Sequence, residues 1–196
     1  MPSPKPNKTK LNSVCVFCGS SNGKNSLFRE ESIILGKRLA ENNIRLVYGG
    51  GSLGLMGIVS NSVYSSGGSV LGVIPKKLLQ VEGINNKLDK VIITEDMHSR
   101  KMIMYKNSQA FICLPGGVGT LEEILEVITW SQLDINRKPI LILNLSGYWD
   151  KLKGLVDHVI SEGFAKPELL KLFSVHNQVN SLFSTLLTSL RIESKE

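Results

Sequence analysis

What this chain lacks excludes several classes of protein. No apolar run approaches the roughly 20 residues of a membrane-spanning helix, and three cysteines are too few for a disulfide framework. Aromatic residues make up only 6%, and the basic residues are scattered rather than grouped with aromatics as on a nucleic-acid surface. Residues 1–10 carry lysines but no following apolar segment of signal-peptide type. We therefore expect a cytoplasmic protein with neither a membrane nor a nucleic-acid partner.

Three lysines near the N-terminus account for a large share of the net charge. Lys5, Lys8 and Lys10 supply half of the net charge of +6, so the remainder of the chain is only mildly basic. With 42% hydrophobic residues, the 196 residues suffice for one globular domain that buries about 70% of its unfolded surface. We expect a single domain at 13–190, between a disordered basic tail at 1–12 and a flexible C-terminus at 191–196.

Several catalytic signatures are also absent. No glycine-rich loop is followed by Lys-Ser or Lys-Thr as in a Walker A sequence, and there is no Gly-x-Ser-x-Gly elbow. His98, His158 and His176 show no metal-ligand spacing. Cys15 and Cys18 fall in a predicted strand, where their odd spacing sends the side chains to opposite faces. We expect no metal, no redox chemistry and no hydrolysis of nucleoside triphosphates.

Apolar runs of strand length alternate with stretches of helical period along the whole chain. The runs are continuous rather than alternating, which is typical of parallel strands covered by helices on both faces. The pattern therefore predicts a doubly wound α/β fold. The predicted strands are 13–18, 44–48, 69–74, 91–94, 110–114, 140–144 and a short one at 173–175, and the predicted helices are 27–42, 54–66, 97–108, 120–132, 148–161 and 177–190.

The glycine-rich segment after the second strand has two interpretations. Gly49-Gly-Gly-Ser-Leu-Gly54 fits the dinucleotide pattern G-x-G-x-x-G between a strand and a helix. That pattern requires an acidic residue about 20 positions further on, to hold the ribose hydroxyls. Here Ile74-Pro-Lys-Lys77 occupies the place, and the next carboxylate is Glu82. Glycines that serve a tight turn and close helix packing are equally compatible with the segment.

The segment after the fifth strand combines a phosphate loop with acids. An apolar run ends at Pro115, passes three glycines and opens a predicted helix that carries Glu122 and Glu123. Unpaired N–H groups at a helix N-terminus bind phosphate, whereas carboxylates repel it unless they serve another part of the ligand. Thr120-Leu-Glu-Glu123 also matches a capping box, in which Glu123 would only cap the helix. The spacing alone does not separate a cap from a catalyst.

These glycine loops are expected to meet at one edge of the sheet, because ligands bind beyond the carboxyl ends of parallel strands. The first strand ends in Gly19-Ser20-Ser21, which adds a third loop there. Arg100 lies in the first predicted helical turn after the fourth strand, where its fork suits a phosphate or carboxylate and Lys101 adds a second charge. An ordinary solvated basic pair is the alternative interpretation of these two residues.

Pro115-Gly-Gly-x-Gly-Thr-x-x-Glu123, with Met97-x-x-Arg-Lys101 upstream, resembles the LONELY GUY family of cytokinin riboside 5′-monophosphate phosphoribohydrolases, whose relatives often carry a lysine decarboxylase label. The resemblance extends over nearly the whole chain and includes Phe17-Cys-Gly-Ser-Ser21. It implies a Rossmann-like fold, a homodimer, and hydrolysis of the N-glycosidic bond of a purine nucleotide to free base and ribose 5-phosphate, without cofactor. A pyridoxal phosphate decarboxylase is not expected, because Lys101 alone meets its requirements.

By this resemblance, Arg100 and Glu123 are expected to be catalytic. A carboxylate beside the ribose would stabilise the oxocarbenium character that develops as the base leaves. A second hypothesis is that the same loops bind a ligand without hydrolysing it, so that the protein is a nucleotide-binding or sensing module or a molybdenum-cofactor carrier. The residues expected to bind the substrate are Gly19, Ser20, Glu82, Met97, Lys101, Gly116, Gly117, Val118, Gly119, Thr120, Leu121, Glu122 and Thr129.

Overall fold

The computed structural model describes residues 12–79, 83 and 88–193, and its centre is a parallel sheet of seven strands. Of the predicted tails, residues 1–11 and 194–196 lie outside this range, as does Glu82, whereas 191–193 form the end of the last helix rather than part of a flexible C-terminus. All seven predicted strands are confirmed with small shifts at their ends. They are β1 (Ser13–Phe17), β2 (Arg45–Tyr48), β3 (Val70–Pro75), β4 (Lys90–Thr94), β5 (Ala110–Cys113), β6 (Ile140–Leu143) and β7 (Ser174–His176).

The described residues form six α-helices, each close to its predicted place. The helices are α1 (Ser26–Glu41), α2 (Gly54–Ser65), α3 (Met97–Lys106), α4 (Val118–Gln132), α5 (Asp150–Ser161) and α6 (Val179–Glu193). None of them is long and apolar enough to cross a membrane.

The central strands are buried because helices cover both faces of the sheet. Every residue of β1, β3, β5 and β6 is buried. Apolar residues of α1, α2 and α6 form one core cluster, and those of α3, α4 and α5 form a second cluster on the opposite face. Cys15 belongs to the second cluster and Cys18 to the first, which confirms that the two thiols point to opposite faces. This is the predicted doubly wound arrangement.

The order of the strands fixes where a ligand can bind. Across the sheet the order is β4-β3-β2-β1-β5-β6-β7, with all neighbours parallel. The chain therefore builds outward from β1 to β4, returns to the centre at β5 and builds outward on the other side. Such a reversal leaves a crevice at the carboxyl ends of β1 and β5. The loops after these two strands form the walls of the candidate site.

Candidate active site

A cavity of about 210 Å³ lies at the reversal of strand order, beyond the carboxyl ends of β1, β2 and β5. The three loops that the sequence predicts at this edge all contribute to it, and so do the starts of α3 and α4. Its lining residues are Val16, Cys18, Gly19, Ser20, Gly49, Met56, Arg100, Gly117, Val118, Gly119, Thr120 and Glu123.

A buried ion pair forms one wall of this cavity. Arg100 Nη1 lies 3.3 Å from Glu123 Oε1, and the two side chains are only 8% and 10% exposed. The Arg100 Nε donates a hydrogen bond to the Val73 carbonyl at 3.1 Å, which fixes the guanidinium from the far side. The burial of Arg100 excludes the interpretation that it is an ordinary solvated cation. A buried charge of this kind requires a partner, and each residue supplies one to the other.

The glycine-rich turn after β2, here the β2 loop (residues 49–54), makes room for this pair. A Cβ at Gly49 would overlap Arg100 Nη2. Gly54 has φ +56, and a Cβ there would overlap the backbone of Ser21. Gly50 has φ +82 and abuts Ile74. These glycines serve close packing and left-handed backbone, so the second of the two interpretations of this segment is correct.

The turn after β5, here the β5 loop (residues 115–119), has the opposite character. Helix α4 begins at Val118 without a side-chain cap, and its first turn donates only from Leu121 N to the Gly117 carbonyl, at 3.0 Å. In the described part of the chain, the N–H groups of residues 117–120 donate to no other group. A Cβ at Gly117 or Gly119 would meet open space. These four free donors at the positive end of a helix form a candidate site for an anion, here called the cradle.

The predicted capping box is wrong. Gly117, rather than Thr120, occupies the cap position, and Thr120 is already the third residue of α4. The Thr120 hydroxyl instead lies against Gly116, where an added Cβ would overlap it. Glu123 is one and a half turns into the helix and faces Arg100. The helix begins two residues earlier than its sequence suggests, and its uncapped start leaves the amides open to the cavity.

Burial makes the Cys18 thiol an unsuitable nucleophile, although it lines the cavity. Removal from water, with the nearby Glu123 carboxylate adding to the effect, raises the pKa of Cys18 far above its usual value. The thiol is therefore protonated at neutral pH. Across the described residues there is no group of three or more His, Cys, Asp and Glu side chains that could hold a metal ion.

Some of the predicted binding residues lie outside the cavity. Lys101 is bound to the Glu122 carboxylate and, at 3.0 Å, to Glu126 Oε1, and its side chain, only 10% exposed, links α3 to α4. The Thr129 hydroxyl donates to the Leu125 carbonyl at 2.8 Å within α4. Met97, Gly116, Leu121, Lys101, Glu122 and Thr129 are therefore not part of the wall. Sequence reasoning in turn missed Met56, Val16 and Cys18, which carry only the signal of core residues.

Open backbone amides beside a buried Arg–Glu pair, at the switch point of a doubly wound sheet, define a Rossmann-like α/β protein with a candidate anion site. The family model described as "Possible lysine decarboxylase" matches residues 56–186. Two cytokinin riboside 5′-monophosphate phosphoribohydrolases of Arabidopsis thaliana are each 51% identical over 160 residues, which cover 82% of this chain and 74% of each relative. The chain belongs to this LONELY GUY (LOG) family.

Solved structures with lower sequence identity share the fold. The molybdenum cofactor carrier protein of Chlamydomonas reinhardtii superposes with a TM-score of 0.70 over 93% of this chain and 99% of that chain, at 21% identity. The molybdenum cofactor binding protein of Rippkaea orientalis gives a TM-score of 0.71 at 18% identity, over 92% of this chain and 98% of that chain. At these identities the likeness concerns the fold alone.

Proposed function

We propose that this protein hydrolyses the N-glycosidic bond of purine nucleoside 5′-monophosphates, either AMP or its cytokinin-type derivatives, to free base and ribose 5-phosphate. The observation that carries the proposal is the buried Glu123 carboxylate in one cavity with the open amides of residues 117–120. Phosphate binding alone gains nothing from a carboxylate in the pocket. The phosphoribohydrolases to which the chain is 51% identical support the same reaction.

The two halves of the site act on two ends of one ribose phosphate. The free amides and the dipole of α4 hold the 5′-phosphate, which places the ribose toward Glu123. As the bond from C1′ to the base breaks, its electron pair leaves with the base and positive charge develops on the ribose. The Glu123 carboxylate stabilises that charge and orients the attacking water. Water then adds to C1′ as hydroxide, and the proton that it gives up balances the one taken up by the departing base.

Arg100 prepares Glu123 for this role. Its positive charge, 3.3 Å from Glu123 Oε1, stabilises the carboxylate as an anion and holds it in one position. The hydrogen bond to the Val73 carbonyl holds the guanidinium in place beside Glu123. We therefore propose Arg100 as an orienting residue or as an electrostatic residue on the side of the leaving group, and Glu123 as the group that faces the reacting carbon.

A homodimer accounts for the predicted residues that lie outside the cavity. Val118, Glu122, Leu125 and Thr129 follow one another at helical spacing on the exposed face of α4. Val118 is 81% exposed, which is unusual for an apolar side chain beside a binding cavity. We infer that a second copy packs on this face and brings its polar residues, with Lys101, to the rim of the site.

The chemistry of a lysine decarboxylase does not suit Lys101. Burial opposes its charged form, but hydrogen bonds to Glu122 and Glu126 prevail and raise the pKa of Lys101 above its ordinary value. A Schiff base requires a neutral amine, so this ion-paired lysine is poorly prepared to form one.

Replacement of Glu123 tests the proposal. Glu123→Gln keeps the size of the side chain but removes the charge, and kcat for adenine release from AMP should fall about 100- to 10,000-fold. In Arg100→Ala the same kcat should fall by about 100-fold, because Glu123 loses its partner. AMP affinity of Glu123→Gln should stay within about threefold of the wild type, since the cradle is intact.

The control is Glu162→Gln, on the exposed end of α5 and outside the cavity. It should release adenine at the wild-type rate. Unchanged release by Glu123→Gln, with the variant folded, would contradict the assignment of the carboxylate. Tight AMP binding by the wild type without any product would favour the non-catalytic binding module instead.

A further inference from the structure

The β5 loop is held by two hydrogen bonds to successive carbonyl groups. The Gly19 N–H donates to the Pro115 carbonyl at 3.1 Å, and the Tyr148 hydroxyl donates to the Gly116 carbonyl at 2.5 Å. Pro115, Gly116 and Tyr148 line a separate cavity of about 130 Å³ that meets the main one only at Gly117. Tyr148 therefore contacts the loop from this second cavity and is not among the residues that line the main one.

The orientation of one peptide unit connects this contact to the cradle. The Gly116 carbonyl and the Gly117 N–H belong to the same trans peptide plane, so they point in opposite directions. Binding the carbonyl to Tyr148 on one side turns the N–H toward the main cavity on the other. Glycine on both sides of this peptide makes its rotation easy, and a rotated unit would present a carbonyl oxygen to the anion.

Tyr148 is itself held firmly enough to impose this orientation. Its ring packs edge-on against Phe28, with centroids 5.4 Å apart, and against Trp149, at 4.8 Å. Its N–H donates to the Leu145 carbonyl at 3.0 Å. Within the same turn Ser146 adopts φ 51, a left-handed conformation that is costly outside glycine and that needs surrounding structure to maintain it.

We propose that Tyr148 is a positioning residue for the phosphate of the ligand, and that it acts through the Gly116–Gly117 peptide. This inference rests on the proposed function, because it takes the anion in the cradle to be the phosphate of a nucleotide. Loss of the hydroxyl weakens phosphate binding in the ground state and the transition state alike. Such uniform loss raises KM and leaves kcat nearly unchanged.

The test is Tyr148→Phe, which keeps the aromatic packing and removes only the hydroxyl. Calorimetry should give a Kd for ribose 5-phosphate that is about three- to tenfold higher than in the wild type, the range expected for one hydrogen bond. KM for AMP should rise by a similar factor with kcat within about twofold. The matched control is Tyr64→Phe on α2, a tyrosine of similar exposure, 43% against 40%, that lies outside both cavities.

Three results would overturn the role of Tyr148. They are an unchanged Kd for ribose 5-phosphate, a fall in kcat as large as the rise in KM, or a loss of melting temperature that Tyr64→Phe does not show and that accounts for the weaker binding. A wild type that binds AMP and ribose 5-phosphate without releasing adenine would overturn only the proposed hydrolysis. The Kd of Tyr148→Phe for ribose 5-phosphate would still test the role of Tyr148. A wild type that binds neither ligand would overturn both proposals.

Discussion

The β2 loop and the β5 loop are similar in sequence and opposite in physical role. Both follow a buried strand, both are rich in glycine, and both open a helix. In the β2 loop an added Cβ would collide at Gly49 with Arg100 and at Gly54 with Ser21. In the β5 loop Gly117 and Gly119 border open space. One set of glycines permits atoms to approach closely, and the other leaves donors uncovered for a ligand.

This difference shows why a glycine pattern alone predicts binding poorly. The pattern records where side chains are absent, but the reason for the absence depends on what occupies the space. Around Gly49, which also lines the cavity, the space is filled by the guanidinium of Arg100, so this glycine makes room for the ion pair. Around Gly117 and Gly119 the space is the cavity itself. Alanine substitutions in the two loops should therefore have different consequences.

Among the substitutions that compare the two loops, the largest effect is expected from Gly49→Ala. The new methyl group would displace Arg100 and disturb the ion pair with Glu123, so kcat/KM for adenine release should fall at least about 100-fold. Overpacking should also lower the free energy of unfolding by about 1–3 kcal/mol. Steady-state kinetics and urea denaturation measure the two quantities. Wild-type activity in Gly49→Ala would show that the close approach to Arg100 is dispensable.

A smaller effect of different kind is expected from Gly119→Ala in the β5 loop. Alanine in the first turn of α4 should raise the free energy of unfolding by about 0.5–1 kcal/mol. The methyl group borders the cavity and should raise KM for AMP by about tenfold. Gly154→Ala on α5, which also meets open space, should give the same gain in stability with unchanged KM. A parallel fall of stability and activity would remove the contrast between the loops.

The smallest effect concerns the start of α3, which, unlike α4, has a side-chain cap. The Asp96 carboxylate accepts from the Ser99 N–H at 2.8 Å, and this bond is the main cause that lowers the pKa of Asp96. A carboxyl group whose pKa is lower in the folded than in the unfolded protein stabilises the fold. This stabilisation is complete above the unfolded pKa of about 4 and is lost as the pH falls through the folded pKa.

Asp96→Ala should therefore lower the melting temperature at pH 7, and the deficit should shrink as the pH is lowered below about 4. Thermal unfolding followed by circular dichroism at pH 7, 5 and 3 measures it. Asp157→Ala, an exposed change within α5, is the comparison and should not reproduce this trend. A deficit that is the same at all three pH values would exclude the cap as its source.

Most of the fold could be predicted because its signals are local. Continuous apolar runs identify all seven strands, including the short β7, and the strand ends predicted the convergence of Gly19, Arg100 and Glu123. The start of α4 was predicted wrongly, because propensity disfavours glycine within a helix and favours Thr120 as a cap. The structure overrides both preferences, since α4 includes Gly119 and begins at Val118 without a side-chain cap.

The remainder of the site depends on contacts between residues distant in sequence. Neither the fit of Gly49 around Arg100 nor the bond from Tyr148 to Gly116 leaves a pattern in the chain. Lys101 and Thr129 carry motif signals, yet Lys101 pairs with Glu126 between α3 and α4, Thr129 bonds within α4, and neither lines the cavity. Spacing within a motif shows which residues share a face of a helix, but it does not show which face turns toward the cavity.

The products formed from AMP test the central claim most directly. The purified wild-type protein is incubated with AMP, and adenine, adenosine, ribose 5-phosphate and inorganic phosphate are quantified by chromatography. We predict adenine and ribose 5-phosphate in equal amounts, with both lost in Glu123→Gln. Adenosine with inorganic phosphate, or stoichiometric AMP binding with no product also from N6-prenylated AMP, would contradict the assignment of Glu123 to the breaking of the glycosidic bond.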